Sequence, residues 1–193
     1  MLFRSSNEKQ WKVAEETHLK LDQAGVKYSI SLGNHDYDVI AERDVTSYRK
    51  YFPYSRYTEL YGTTNFGSFD GTLDNTYHKF SYGGKNYMIV ALEYGPRAEV
   101  VAWAKKLCDD NYTYNVIVTT HCLIDGDGVL KDDVAPRLDN GENPQYLWDN
   151  FIKLCPNVKM VLGGHWISYG VTTRVMYNDA GIFRLLSVPL TKG

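Results

Sequence analysis

The sequence has 193 residues, 44% of them hydrophobic and 14% aromatic, enough for one domain with a substantial core. Its formal net charge is −2, and Lys and Arg are scattered, so no nucleic-acid or membrane-surface patch is present. No apolar run approaches the roughly 18 residues of a membrane span, and no apolar region follows Met1-Leu2-Phe3-Arg4 to make a signal peptide.

The first helix is expected to open at Ser5 or Ser6, whose hydroxyls suit an amino-terminal cap, and to end at Gly25. Trp11, Ala14, Leu19 and Leu21 fall mostly on one side at helical spacing. Val26–Leu32 then reads as a buried strand running into Gly33-Asn34-His35-Asp36. Val45–Phe52 suggests a short helix stopped by Pro53. Residues 54–75, rich in Tyr, Thr, Gly and Asn, read as a long loop, and the tyrosines around 51–66 as a place for substrate selection.

Residues 75–94 form a hairpin pattern: Tyr77–Tyr82 alternates, Gly83-Gly84 turns, and Asn86–Leu92 is strongly apolar. A helix opened by Pro96 follows, with Val100, Val101, Ala104 and Leu107 as its apolar face. Strand Val116–Thr120 ends at His121. A helix over Gln145–Leu154 is stopped by Pro156, Val158–Leu162 runs into Gly163-Gly164-His165, and a strand pair spans about 171–176 and 181–188. Alternating helices and strands predict a single α/β domain, a layered mixed β-sheet with flanking helices. Cys108, Cys122 and Cys155 are too few and too scattered for a disulfide framework and read as buried small hydrophobes.

Three strands thus finish alike, at Asn34-His35, at His121 and at His165. Strand ends on one edge of a sheet converge, so three imidazoles and an amide oxygen share one volume. Neutral imidazole is the commonest metal ligand, and an amide oxygen suits borderline or hard divalent ions. His18, mid-helix, and His78, inside the hairpin, read as structural. Asp125 and Asp127 after His121 read as turn residues, with orientation of the imidazoles as the alternative role.

On Gly33-Asn34-His35-Asp36, His121 after an apolar strand, and Gly164-His165 in that order, the chain resembles the calcineurin-like metallophosphoesterases. Leu92-Glu93-Tyr94-Gly95-Pro96-Arg97 and Trp103-Ala104 extend the likeness over nearly the whole sequence. The resemblance implies the fold of that family and hydrolysis of a phosphomonoester or phosphodiester. Two divalent ions (Zn, Mn or Fe) about 3.5–4 Å apart would hold the phosphate for in-line displacement. It implies Asn34, His121 and His165 as metal ligands, and His35 as the group that protonates the leaving oxygen.

Two departures accompany it. The family's Asp-x-His and Gly-Asp blocks are absent, and Ser5–Trp11 looks like the segment that directly follows the second of them. The expected domain, residues 1–193, is therefore incomplete at its amino end and lacks its first strands. The last block reads Gly164-His165-Trp166-Ile167-Ser168, with Ile167 where the family has a second histidine. Asn34, His121 and His165 support one metal ion; the second has lost its ligands. Three readings follow: a partial catalytic domain completed by residues outside the sequence, a degenerate non-catalytic binding or structural module, and a one-metal hydrolase.

Overall fold

A computed structural model of the chain describes residues 6–132, 138–166, 171–178 and 181–187. Seven strands form one mixed sheet in the order β1-β2-β3-β4-β5-β7-β6, from β1 (Phe66–Ser68), β2 (Thr76–Tyr82), β3 (Lys85–Ala91), β4 (Asn115–Cys122), β5 (Val158–Gly164), β6 (Thr172–Asn178) and β7 (Gly181–Ser187). β3, β4, β5 and β7 run parallel, while β1–β2–β3 and β7–β6 pair antiparallel. Gly83 and Gly84 both take positive φ, 57° and 73°, the type I′ geometry that a two-residue hairpin needs.

One face of the sheet is closed by α4 (Ala98–Asp110) and by α5 (Pro144–Leu147), which continues as a π-helical turn over Trp148–Ile152. Val100, Val101, Ala104 and Cys108 of α4 pack with Met88, Val90, Val116, Val118, Val158 and Val161, all essentially inaccessible. Burial alternates along β4: Val116 and Val118 are buried in this core while Asn115, Ile117 and Thr119 are half-buried, and after a register irregularity past Thr119 the buried Cys122 joins the second cluster. Cys108, Cys122 and Cys155 are free and buried, as expected.

A second cluster is mostly aromatic. Trp11 from α1 (Glu8–Gln23) stacks on Tyr51, 6.1 Å between centroids and 5° between planes, and sits edge-on to Phe52. Tyr48, Tyr51, Tyr57, Tyr61 and Phe66 complete it from α2 (Thr46–Tyr51), α3 (Tyr54–Tyr61) and β1. Arg49 clamps the far end through a bidentate ion pair to buried Asp74.

Several expectations need correction. The first helix is capped by Asn7, whose side chain accepts from Lys9 N and Gln10 N, and not by Ser6; Ser5 lies outside the described residues. Of its predicted stripe only Trp11 is buried, and Leu19 is 42% exposed, because the aromatic cluster meets the helix along the line of Trp11, Ala14 and His18. Residues 54–75 are not a loop: α3 and β1 lie within them. Pro53, read as the stop of one helix, is also the amino-terminal cap of the next, and Tyr57 and Tyr61 are core residues packed on Phe66.

The predicted strand Val26–Leu32 is also absent from the sheet. The position beside β4 on either side is taken, by β3 and by β5, and no other strand among the described residues lies alongside 26–32. The segment's side chains alternate between two sides nonetheless. Leu32 enters the aromatic cluster with Ile30, while Ser31 Oγ meets Thr119 Oγ1 at 2.6 Å on the sheet. The segment is extended and sandwiched between the sheet and α1.

The two histidines read as structural are so. His18 Nδ1 bonds Ala14 O at 2.7 Å and its ring packs against Tyr28 and Phe52. His78 is 5% exposed and stacked on Tyr61, and burial, with a smaller push from Lys27, drives its pKa from 6.5 down to about 4. Because the folded pKa is depressed, stability from this group is full above pH 6.5. It is lost as the pH falls toward 4, since the unfolded chain takes up the proton first. The loss is on the order of 3 kcal/mol. Urea unfolding of the wild type and of His78→Phe at pH 7 and pH 4 should show a smaller pH-dependent loss in the variant by that order.

Candidate metal centre

Parallel pairing carries β4 and β5 to the same edge of the sheet, where Cys122 lies opposite Gly164. His121 and His165 flank that pair, and their rings meet edge to face with centroids 5.0 Å apart. The turn Gly33–Asp36 brings Asn34 to the same point: Gly33 O accepts from Asp36 N at 3.0 Å, and Asp36 Oδ2 accepts from Gly33 N at 2.7 Å. Burial pushes the Asp36 carboxyl up to about 6, against the lowering effect of that Gly33 amide.

Three donor atoms converge. His121 Nε2 lies 3.0 Å from Asn34 Oδ1 and 3.2 Å from His165 Nδ1. A single ring nitrogen holds either one proton or one lone pair, so it cannot serve both neighbours as an ordinary hydrogen-bond partner of each. Burial above all, helped by the charges of His165 and His35, pushes His121 from 6.5 down to about 4, so its imidazole is neutral at pH 7.

The surroundings hold the rings tightly. Buried Tyr94 lies against both, its ring 5.7 Å from His121 and 5.6 Å from His165. Tyr94 is fixed in turn by its neighbours. Glu93, 3% exposed, pairs with Arg43 and Arg97 and takes Asn75 Oδ1 on its amide, while Arg43 reaches Gly95 O at 2.6 Å. Gly33 packs so closely that a Cβ there would lie 3.0 Å from His121 Cε1 and 3.1 Å from both ring nitrogens.

His165 itself has φ of 72°, and Trp166 N donates to Gly164 O across it at 2.9 Å, which is the mark of the strained γ-turn. A non-glycine residue held in a rare backbone conformation beside converging polar side chains is a pattern that functional sites show.

Thus Asn34, His121 and His165 are brought together as expected, and His35 stands exposed at the rim. Asp125 is a turn residue: its Oδ1 accepts from Asp127 N and Val129 N, both at 3.0 Å. Ile167 and Ser168 lie outside the described residues. Reading the sequence placed Asp36 in the Gly33–Asp36 motif without giving it a role, and did not single out Tyr94 as part of the site. Tyr94 carried a usable signal, since it lies three residues past the end of the apolar strand β3, whose carboxyl end shares the edge with β4.

No protein-family model matches the chain. Over 172 residues it is 28% identical to the uncharacterized protein YvnB of Bacillus subtilis (strain 168). The match takes in 85% of this chain but only 12% of YvnB, so the chain spans a small part of that relative's length. No helix among the described residues is long and apolar enough to cross a membrane.

The strain at His165 has a measurable sign. His165→Ala keeps a side chain in the left-handed region and loses the ring, whereas His165→Gly loses the ring and relaxes the backbone. The glycine variant should be the more stable of the two by about 1 kcal/mol in chemical denaturation.

Proposed function

We propose that this chain is a partial catalytic domain of a metal-dependent phosphoester hydrolase of the calcineurin-like type. The observation that carries the reading is the spacing of the three donors around His121 Nε2, 3.0 and 3.2 Å. Ligands bound at about 2.0–2.1 Å to one zinc-like ion stand about 2.9–3.4 Å apart along the edges of its coordination polyhedron. The separations of His121 Nε2 from Asn34 Oδ1 and from His165 Nδ1 match such edges, and a shared cation would take a lone pair from each of the three atoms. The neutrality of His121 at pH 7 supports the same assignment, because only the unprotonated nitrogen ligates. Zn, Mn or Fe fits this mixed nitrogen and oxygen set. Such an ion supplies charge neutralisation to a phosphoryl oxygen.

The chain's own residues do the rest. Tyr94 walls the imidazoles on one side and excludes water there. The Gly33 amide and Asp36 carboxylate fix the turn, which sets where Asn34 and His35 project. His35, exposed at the rim, is free to deliver a proton to the oxygen leaving phosphorus. The substrate is a phosphomonoester or phosphodiester of small size. One ion with three protein ligands makes half of a two-metal clamp, and the remaining carboxylate ligands would come from outside this sequence.

A second reading, a non-catalytic relative, is favoured by Ile167 standing at the position of the family's second histidine. Titration calorimetry with Zn²⁺ and Mn²⁺, paired with turnover of p-nitrophenyl phosphate and its bis ester, separates the two. The hydrolase reading expects binding of one ion that His121→Ala abolishes. It also expects metal-dependent turnover that drops about 10²–10⁴-fold in His35→Ala with binding retained. Binding without turnover selects the non-catalytic reading, and an absence of binding would falsify both the metal site and the hydrolase. Gly33→Ala offers a subtler check. Its methyl group must displace the His121 ring by a few tenths of an ångström. Ion affinity should therefore fall about 10-fold or more while the unfolding free energy changes by about 1 kcal/mol or less.

A further inference from the structure

Two of the three thiols meet beneath the sheet. Cys108 lies in the last turn of α4, and Cys155 follows the π-helical turn that ends at Ile152. Both are free, wholly inaccessible, and part of the core that α4 and the α5 segment build against the strands. Asn157 ties the two places together: its Nδ2 donates to Cys108 O at 3.0 Å and to Asn111 O at 3.2 Å. Cys155 is pinned along its own backbone, its N–H donating to Ile152 O at 3.4 Å and its carbonyl accepting from Val158 N at 3.1 Å. Between the side chains the Cys108 thiol donates a hydrogen bond to the Cys155 sulfur.

A small hydrophobe at either position would need no sulfur for a neighbour. Cys122 gives the contrast, since it belongs to the aromatic cluster and its Sγ donates to Lys131 O at 3.6 Å. The hydrogen bond between the pair raises the Cys108 thiol and lowers that of Cys155, against the effect of burial on Cys155, so the first thiolate forms at Cys155. Lys105, one turn before Cys108, adds a smaller favourable charge at both sulfurs. A thiolate in contact with a second thiol is the arrangement from which disulfides close.

We infer that Cys108 and Cys155 are a redox modification site, which closes to an intrachain disulfide by exchange with a small disulfide of the glutathione type. The Cys155 thiolate attacks one sulfur of oxidised glutathione, and the S–S bond breaks to release one glutathione thiolate. Cys108 gives its proton to that leaving thiolate and attacks the Cys155 sulfur of the mixed disulfide, expelling the second glutathione. Two protein thiols are oxidised to one disulfide, and one small disulfide is reduced to two thiols. Both cysteines sit at helix ends, which open more readily than strands, so the reagent gains access without unfolding of the sheet. The closed loop contains β4 and α5, and the bridge staples the end of α4 to the start of β5. It lies at the amino ends of β4 and β5, away from His121 and His165 at their carboxyl ends, and is independent of any metal there.

Peptide mapping tests this on the 193-residue chain, purified reduced and kept folded, after incubation with millimolar oxidised glutathione and alkylation of the remaining thiols. The chain should lose its two thiol hydrogens in mass, with Cys108 linked to Cys155 and Cys122 alkylated. Its Tm should rise by about 5 °C or more and fall back on adding dithiothreitol. Cys122→Ser should behave as the wild type, whereas Cys155→Ser should form no bridge and show no rise; the wild-type map decides alone if that variant does not fold. A bridge that includes Cys122 overturns the inference. So do glutathione adducts that never resolve to a bridge, thiols left unchanged after overnight exposure, and a Cys108–Cys155 bridge that lowers the Tm.

Discussion

Parallel pairing between β4 and β5 is the constraint on which the rest of this molecule depends. Two parallel strands end at the same edge, so the residues that follow their last pair are neighbours in space however far apart they lie in sequence. His121 and His165, 44 positions apart, meet for this reason alone. The crossover that parallel pairing requires is supplied by the α5 segment, whose Leu147, Phe151 and Ile152 join α4 in sealing one face of the sheet. The core beneath the site and the site itself are thus two results of one topological choice.

The opposite face is organised differently. There the sheet meets an extended segment before any helix, and the aromatic cluster beyond it is built of large rings from short elements. Tyr48, Tyr57 and Trp11 fill volume that aliphatic side chains on α2 and α3, six and eight residues long, could not reach. This is why a 16-tyrosine composition accompanies ordinary globular packing. Rings of this size tie α1 to the turn that bears Asn34, and so link the first described helix to the ligating edge.

Much of the fold was legible because apolar alternation and glycine punctuation are local signals. The hairpin at Gly83-Gly84, the face of α4 and strands β4 and β5 follow directly from them. What failed was what local pattern does not contain. Val26–Leu32 alternates like a strand, but being one requires a neighbour, and neighbours are a property of the whole sheet. Tyr57 and Tyr61 looked like loop residues because their helix is stabilised by ring packing and not by propensity. At the site, Asn34, His121 and His165 were legible because each follows a strand or glycine turn. Asp36 was legible as a member of the Gly33–Asp36 motif but not its role in fixing the turn, and Tyr94 was not, since its contribution lies in burial.

The wide sequence separation of Asn34, His121 and His165 carries a consequence for folding. Asn34 and His121 are 87 residues apart, and each such closure costs entropy that grows with the logarithm of the loop. The three donors therefore come together only once the non-local strand pairs have formed, so no cation can template this chain as zinc templates a small finger. An ion held there would recognise the finished protein and ignore the unfolded one. Its effect on stability would then follow its free concentration by simple mass action, which makes the edge of β4 and β5 a reporter of completed folding.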